Sequence, residues 1–161
     1  QKMLYGALLL FVLTHGFAKS ALFMAAGAVQ QQLGHDRIAE LGGLARTFPL
    51  TVFTLALAGV ALIGLPPSGS FLAKWHLMAE ALVQGLWYWV LVVTIGSLLA
   101  CIYMFRVLGI AFGPSPSSEQ PEAEDREHLS PLWMALIATT VLGLAGNGIW
   151  QLLAEGSGGG I

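Results

Sequence analysis

The chain has 161 residues, of which 56% are hydrophobic and only 10% charged, with a mean hydropathy of +0.74. Soluble domains carry about 25% charged residues, so the composition excludes an ordinary globular enzyme. Seven Lys and Arg against nine Asp and Glu leave a net charge of −2 and no basic stripe for nucleic acid, and one cysteine, Cys101, excludes a disulfide scaffold. What remains is an all-α integral membrane protein. At about 20 apolar residues per spanning helix, the length allows roughly four to six crossings. The apolar stretch that follows Lys2 runs to Val29 with His15 and Lys19 inside it and no cleavage site, so it reads as a helix of a longer polytopic protein and not as a signal peptide.

The first segment covers residues 2–32, with Gly6, Gly16 and Gly27 as small spacers for close helix packing. Gly34 is a natural C-cap. A polar connector, residues 33–48, turns at Gly42–Gly43, and Pro49 suits the first turn of the next helix. The second segment, residues 49–84, is interrupted by Pro66, Pro67, Ser68, Gly69 and Ser70, because proline removes a backbone donor and glycine adds freedom. Lys74, His76 and Glu80 make its second half poor material for a separate lipid-facing span. A single discontinuous helix, broken at Pro66–Ser70 and lined there by protein or water, is therefore expected. The third segment, residues 86–112, opens on the interfacial aromatics Trp87, Tyr88 and Trp89 and carries Arg106 near its end. Residues 113–130 form an acidic, proline-containing, flexible loop. Residues 131–154 are a fourth span with Trp133 and Trp150 near its ends, and 155–161 a flexible tail. One crossing per segment puts Arg37, Arg46, Arg106 and Arg126 on one face and Lys2 opposite. By the positive-inside rule, loops 33–48 and 113–130 are then cytoplasmic.

A charged side chain at bilayer depth costs about 2.5–3.5 kcal/mol even on the lenient insertion scale, so His15, Lys19 and Lys74 mark an interior ion path. His15 and Lys19 stand four residues apart, on one helix face about 6 Å apart along the axis, and both can exchange protons. The competing reading has His15 bonded to a carbonyl and Lys19 snorkelling or paired with an acid. Lys74 follows the break, where unwound backbone and half-helix ends favour a buried cation; its competing reading is an interfacial anchor beside Trp75. His76 and Glu80 are accessory candidates, and solvation accounts for them equally well. A haem between His15 and His76 is disfavoured by the neighbouring lysines. No phosphate loop, metal-ligand spacing or nucleophile elbow is present in the sequence, so no cofactor or metal is expected.

The runs THGFAKSALFMAAGAV (14–29), DRIAELGGL (36–44) and FPLTVFTLALAGVALIGLPPSGSFLAKW (48–75) resemble the antiporter-type subunits of proton-pumping respiratory complex I (NADH:quinone oxidoreductase), Mrp-type cation/proton antiporters and membrane-bound hydrogenases. The likeness covers about residues 5–112. It implies a fold of fourteen transmembrane helices with two inverted repeats, of which this chain is the C-terminal part. It also implies a non-catalytic subunit in a bacterial plasma membrane, partnered by other membrane subunits, lipid, protons and in some branches Na⁺. Lys74 becomes the terminal proton-exchange residue, and His15 and Lys19 the relay towards it. Three departures stand out: Phe11 occupies the position of a further histidine in some members, Lys74 stands where others have Glu, and the chain closes in EGSGGGI. Redox-driven pumping, Na⁺/H⁺ exchange and a non-transporting scaffold all remain open at this point.

Overall fold

The computed structural model describes residues 2–35, 37–114, 129–146, 148 and 152, and the regular structure among them is entirely helical. Asp36, residues 115–128 with Arg126, Trp150 and the tail 155–161 lie outside the described residues.

Helix α1 (Lys2–Leu33) is a single run of 32 residues, about 48 Å long at 1.5 Å per residue. It stops at Gly34, whose φ of +72° is a left-handed cap and whose N–H donates to Gln30 O at 2.9 Å. The connector holds a 3₁₀ turn, Ile38–Glu40, and the one-turn helix α2 (Leu44–Thr47). Helix α3 (Pro49–Ile63) takes Pro49 in its first turn, as expected.

The interruption lies two residues earlier than Pro66–Ser70. Helix α3 stops at Ile63 and α4 (Gly69–Val83) begins at Gly69, leaving residues 64–68 irregular. Two local causes act. Gly64 adopts φ 83° and ψ 46°, and its N–H bonds Val60 O at 3.1 Å, which closes α3 before the prolines are reached. Fully buried Ser68 is the N-cap of α4, its Oγ accepting from Phe71 N at 3.2 Å. Gly69, expected in the break, is the first residue of the second half-helix.

Helix α5 (Trp87–Ala111) follows a tight turn at Gly85, φ +73°. Helix α6 (Leu129–Leu136) passes through a π turn, Ile137–Val141, into the short α7 (Leu142–Leu144). Helix α6 begins two residues before the expected start of the last span, which leaves Pro131 in its tolerant first turn.

The packing layers fix how these helices run. Val29 lies with Phe48, Val52 and Ala111; Ala21 with Ala58 and Ala135; Ala18 with Ala61 and Ala138; and Leu10 with Ala73 and Leu142. Descending α1 from Val29 to Leu10 covers about 28 Å, and over that distance the partner positions climb steadily from Val52 to Ala73. Helices α3 and α4 therefore form one pass, antiparallel to α1, and α6–α7 runs beside them in the same sense. Helix α5 returns the other way: Ala111 meets Phe48 at one end, Met104 lies over Gly59, and Ser97 reaches Lys74. The middle of the seam between α1, α3 and the α6–π-turn segment is built from alanine triplets, each residue with no exposed surface, the small-residue packing that lets backbones approach closely.

By length and composition two helices, Tyr5–Leu33 and Trp87–Ala111, are able to cross a membrane, while Pro49–Ile63 and Ser130–Leu144 are shorter apolar helices. The 15 residues of α3 reach about 22 Å, short of the roughly 30 Å of a hydrocarbon core, so a full crossing by this segment requires α4 as well.

Candidate functional site

The break has two unlike sides. Towards α1 and α7 it is closed. A Cβ on Gly69 would run into Thr14 Oγ1 and Leu142 Cβ, and one on Gly143 would overlap the Pro67 carbonyl. Towards α5 it opens into a cleft of about 520 Å³ whose walls include Phe11, His15, Lys19, Lys74, Ser97 and Tyr103. The three ionisable residues singled out from the sequence thus face one space.

Lys74 is the best-held group in it. Its Nζ donates to Ile63 O at 2.9 Å, to Leu62 O at 3.4 Å and to Ser97 Oγ at 2.8 Å. An ammonium has three N–H donors, and here each meets an oxygen. Two of the three acceptors are the carbonyls that α3 leaves over when Gly64 ends it, and the partial negative charge of a helix C-terminus favours a cation there. Gly64 has a second function in this seat: a Cβ on it would lie 2.9 Å from Lys74 Cδ and 3.1 Å from Nζ. The lysine stem crosses the break because residue 64 has no side chain.

His15 is half-buried and stacks on Phe11, ring centroids 5.5 Å apart, and Lys74 Nζ, reaching over from α4, lies 6.0 Å from the Phe11 ring centre. Phe11 is thus a neighbour of both the histidine and the lysine. Lys19 is exposed, with Nζ 5.6 Å from the Phe23 ring centre. The two accessory candidates separate. Glu80 accepts from Gln84 Nε2 at 2.7 Å and lines a neighbouring apolar cleft of about 320 Å³ that shares Leu8, Leu77, Trp89 and Val93 with the first. His76, half-buried on α4, lines neither cleft. Pro66 and Pro67 keep the segment between the half-helices irregular and make no contact with Lys74 among those described above.

The model of the NADH:quinone oxidoreductase/Mrp antiporter transmembrane family matches residues 2–102, well over half of the chain. The chain belongs to this family. Among its relatives, NADH-quinone oxidoreductase subunit N of Desulforudis audaxviator is 39% identical over 73% of this chain and 24% of its own length. Subunit L of Pseudomonas aeruginosa is 30% identical over 86% of this chain and 23% of its own. The chain thus spans about a quarter of the length of these relatives. The fold matches a solved Mrp complex from Dietzia sp. DQ12-45-1b with a TM-score of 0.82 at 24% identity, over 96% of this chain and 37% of that one.

Ser97 and Gly64 shape the seat of Lys74 in addition to the residues expected from the sequence. Gly64, two positions before Pro66, carried a usable signal, since glycine shortly before proline ends helices. Ser97 carried none, for it follows Gly96 in an apolar helix and reads as another small spacer.

Proposed function

We propose that this chain forms part of a proton path across a bacterial plasma membrane, within an antiporter-type subunit of a complex I-like NADH:quinone oxidoreductase. The observation that carries the reading is the seat of Lys74: an ammonium on the carbonyl end of a broken helix, opening on a cleft shared with His15 and Lys19. Lys74 is the proton-exchange residue. His15 and Lys19, which wall the same cleft, pass protons to it through water there. Glu80 stands at the adjoining cleft as the onward group, and His76 is an accessory candidate one turn away on the same helix.

In this reading residues 1–112 belong to the proton-channel domain, residues 131–154 form a further span, and the second of four crossings is the discontinuous α3–α4 pass. The whole is the C-terminal part of a fourteen-helix inverted-repeat fold. Arg37 and Arg46 in the connector and Arg106 on the last turns of α5 gather at one end of the bundle, where Gly43 N bonds Gly113 O at 2.8 Å. By charge bias that end, with loops 33–48 and 113–130, faces the cytoplasm. Other membrane subunits and lipid cover the exposed apolar faces of α1 and α5.

The test is proton uptake into vesicles carrying the native assembly, wild type against Lys74→Ala, driven by NADH and separately by a sodium gradient. Uptake should fall at least about tenfold, equivalent to about 1.4 kcal/mol of barrier, with assembly intact. Unchanged uptake under both drives makes Lys74 an anchor and overturns the site. Uptake driven by sodium alone moves the protein to the cation/proton exchangers.

A further inference from the structure

The seat of Lys74 satisfies an ammonium, yet a residue that exchanges protons must also be stable without the extra one. A neutral amine keeps two N–H donors and gains a lone pair. The carbonyls of Leu62 and Ile63 accept two donors in either state but have nothing to offer a lone pair. Ser97 Oγ is the only one of the three partners that is able to donate as well as accept.

Its geometry is unlike that of three threonines in the same bundle. Thr54 Oγ1 donates to Leu50 O at 2.8 Å, Thr94 Oγ1 to Val90 O at 2.7 Å and Thr139 Oγ1 to Ala135 O at 2.8 Å, each four residues back on its own helix. Ser97 instead reaches across from α5 to α4 and meets Lys74 at 2.8 Å. Helix α5 comes close enough for this contact while still walling the cleft from which Lys74 is reached.

We propose that Ser97 is a positioning residue for proton exchange at Lys74, its hydroxyl accepting from the ammonium and rotating to donate to the neutral amine. The proton that faced Ser97 passes from Nζ to water in the cleft, the lone pair freed in its place takes the Ser97 O–H, and the two carbonyls keep the remaining N–H groups. Reprotonation reverses the rotation. Nζ thereby stays in one place through the cycle, and no backbone movement is needed to keep its hydrogen bonds satisfied in both states. This inference rests on the reading of Lys74 as a proton-exchange residue.

The experiment compares Ser97→Ala, Ser97→Cys, Ser97→Thr and Lys74→Ala in vesicles carrying the native assembly, with assembled protein quantified in each. A hydroxyl requirement predicts that Ser97→Ala and Ser97→Cys lower uptake about tenfold at unchanged assembly, while Ser97→Thr retains most of it. A requirement for small size alone predicts the reverse order, because Cys is the closer match in volume and Thr the larger residue. Wild-type uptake in Ser97→Ala, or a Cys variant that outperforms the Thr variant, overturns the proposal. If Lys74→Ala also keeps its uptake, the reading of Lys74 fails first; if only Lys74→Ala loses it, the role of Ser97 fails alone.

Discussion

The two sides of the helix break do opposite things with the same material. On the side of α1 and α7, glycine closes the packing: Gly69 lies against the Thr14 hydroxyl and the Leu142 carbonyl, and Gly143 against the Pro67 carbonyl. The alanine triplets continue that closure along α3. On the side of α5, glycine makes room for a charged stem, since Gly64 lies under Lys74, and the space beyond it stays open. Interrupting a helix releases polar backbone groups on all sides. Their chemical use depends on which side is shut, so the closed face sets the direction from which Lys74 can be reached.

The largest effect should come from filling the closed face. Gly143→Val places a branched side chain where even a Cβ overlaps the Pro67 carbonyl. Overpacking of this kind should cost about 3 kcal/mol, the upper end of its usual range, read as a clear drop in thermal unfolding temperature and in the yield of assembled protein. A wild-type unfolding temperature would mean that the seam has slack and that the contrast between the faces is unreal.

Filling the open face should separate fold from transport. Gly64→Ala puts a Cβ 2.9 Å from Lys74 Cδ at a φ of +83°, with a backbone strain of about 1–2 kcal/mol. Assembly should survive with a modest loss of stability, while proton uptake falls about tenfold as Nζ is pushed off the Leu62 and Ile63 carbonyls. Full uptake would show that the carbonyl seat is dispensable.

The smallest effect is expected outside both faces. Arg37 Nη1 donates to Glu40 Oε1 at 3.0 Å on the exposed connector, and this hydrogen bond holds the Glu40 carboxyl below its ordinary value of 4.5. A carboxyl depressed in the fold adds stability above its unfolded value and loses it as the pH falls through the folded one. Any contribution of the pair is therefore present at neutral pH and vanishes in acid. Arg37→Gln should raise the Glu40 titration midpoint, measured by NMR of the carboxyl carbon, and leave uptake at neutral pH unchanged. A midpoint that stays put would assign the shift to another neighbour, such as His35, whose Nε2 lies 3.3 Å from Glu40 Oε2.

Much of this architecture could be read from the chain because its signals are local. Gly34, Pro49 and the aromatic run Trp87–Trp89 mark helix ends through backbone chemistry that needs no partner. Lys74 announced itself as a charge following a double proline in apolar sequence. The rest depends on residues far apart in the chain. Ser97 matters because Lys74, 23 positions earlier, reaches it. Ala21, Ala58 and Ala135 become a layer only once three helices are side by side. The π turn at Ile137–Val141 likewise has no mark in its own residues, IATTV. His76 and Glu80 share a helix face by spacing, but of these two Glu80 alone lines one of the two clefts described, because which arc of α4 meets α5 is decided by packing.

Helix α1 also has a mechanical consequence. It runs without interruption past both halves of the α3–α4 pass, with Ala21 and Ala18 bearing on α3 and Thr14 and Leu10 on α4. It lies along the interruption as a splint lies along a fractured bone. A hinge at residues 64–68 would have to lever one half-helix off a close-packed rod, and such interfaces resist continuous deformation. The gap is therefore braced along one side by a single unbroken helix that packs on both half-helices.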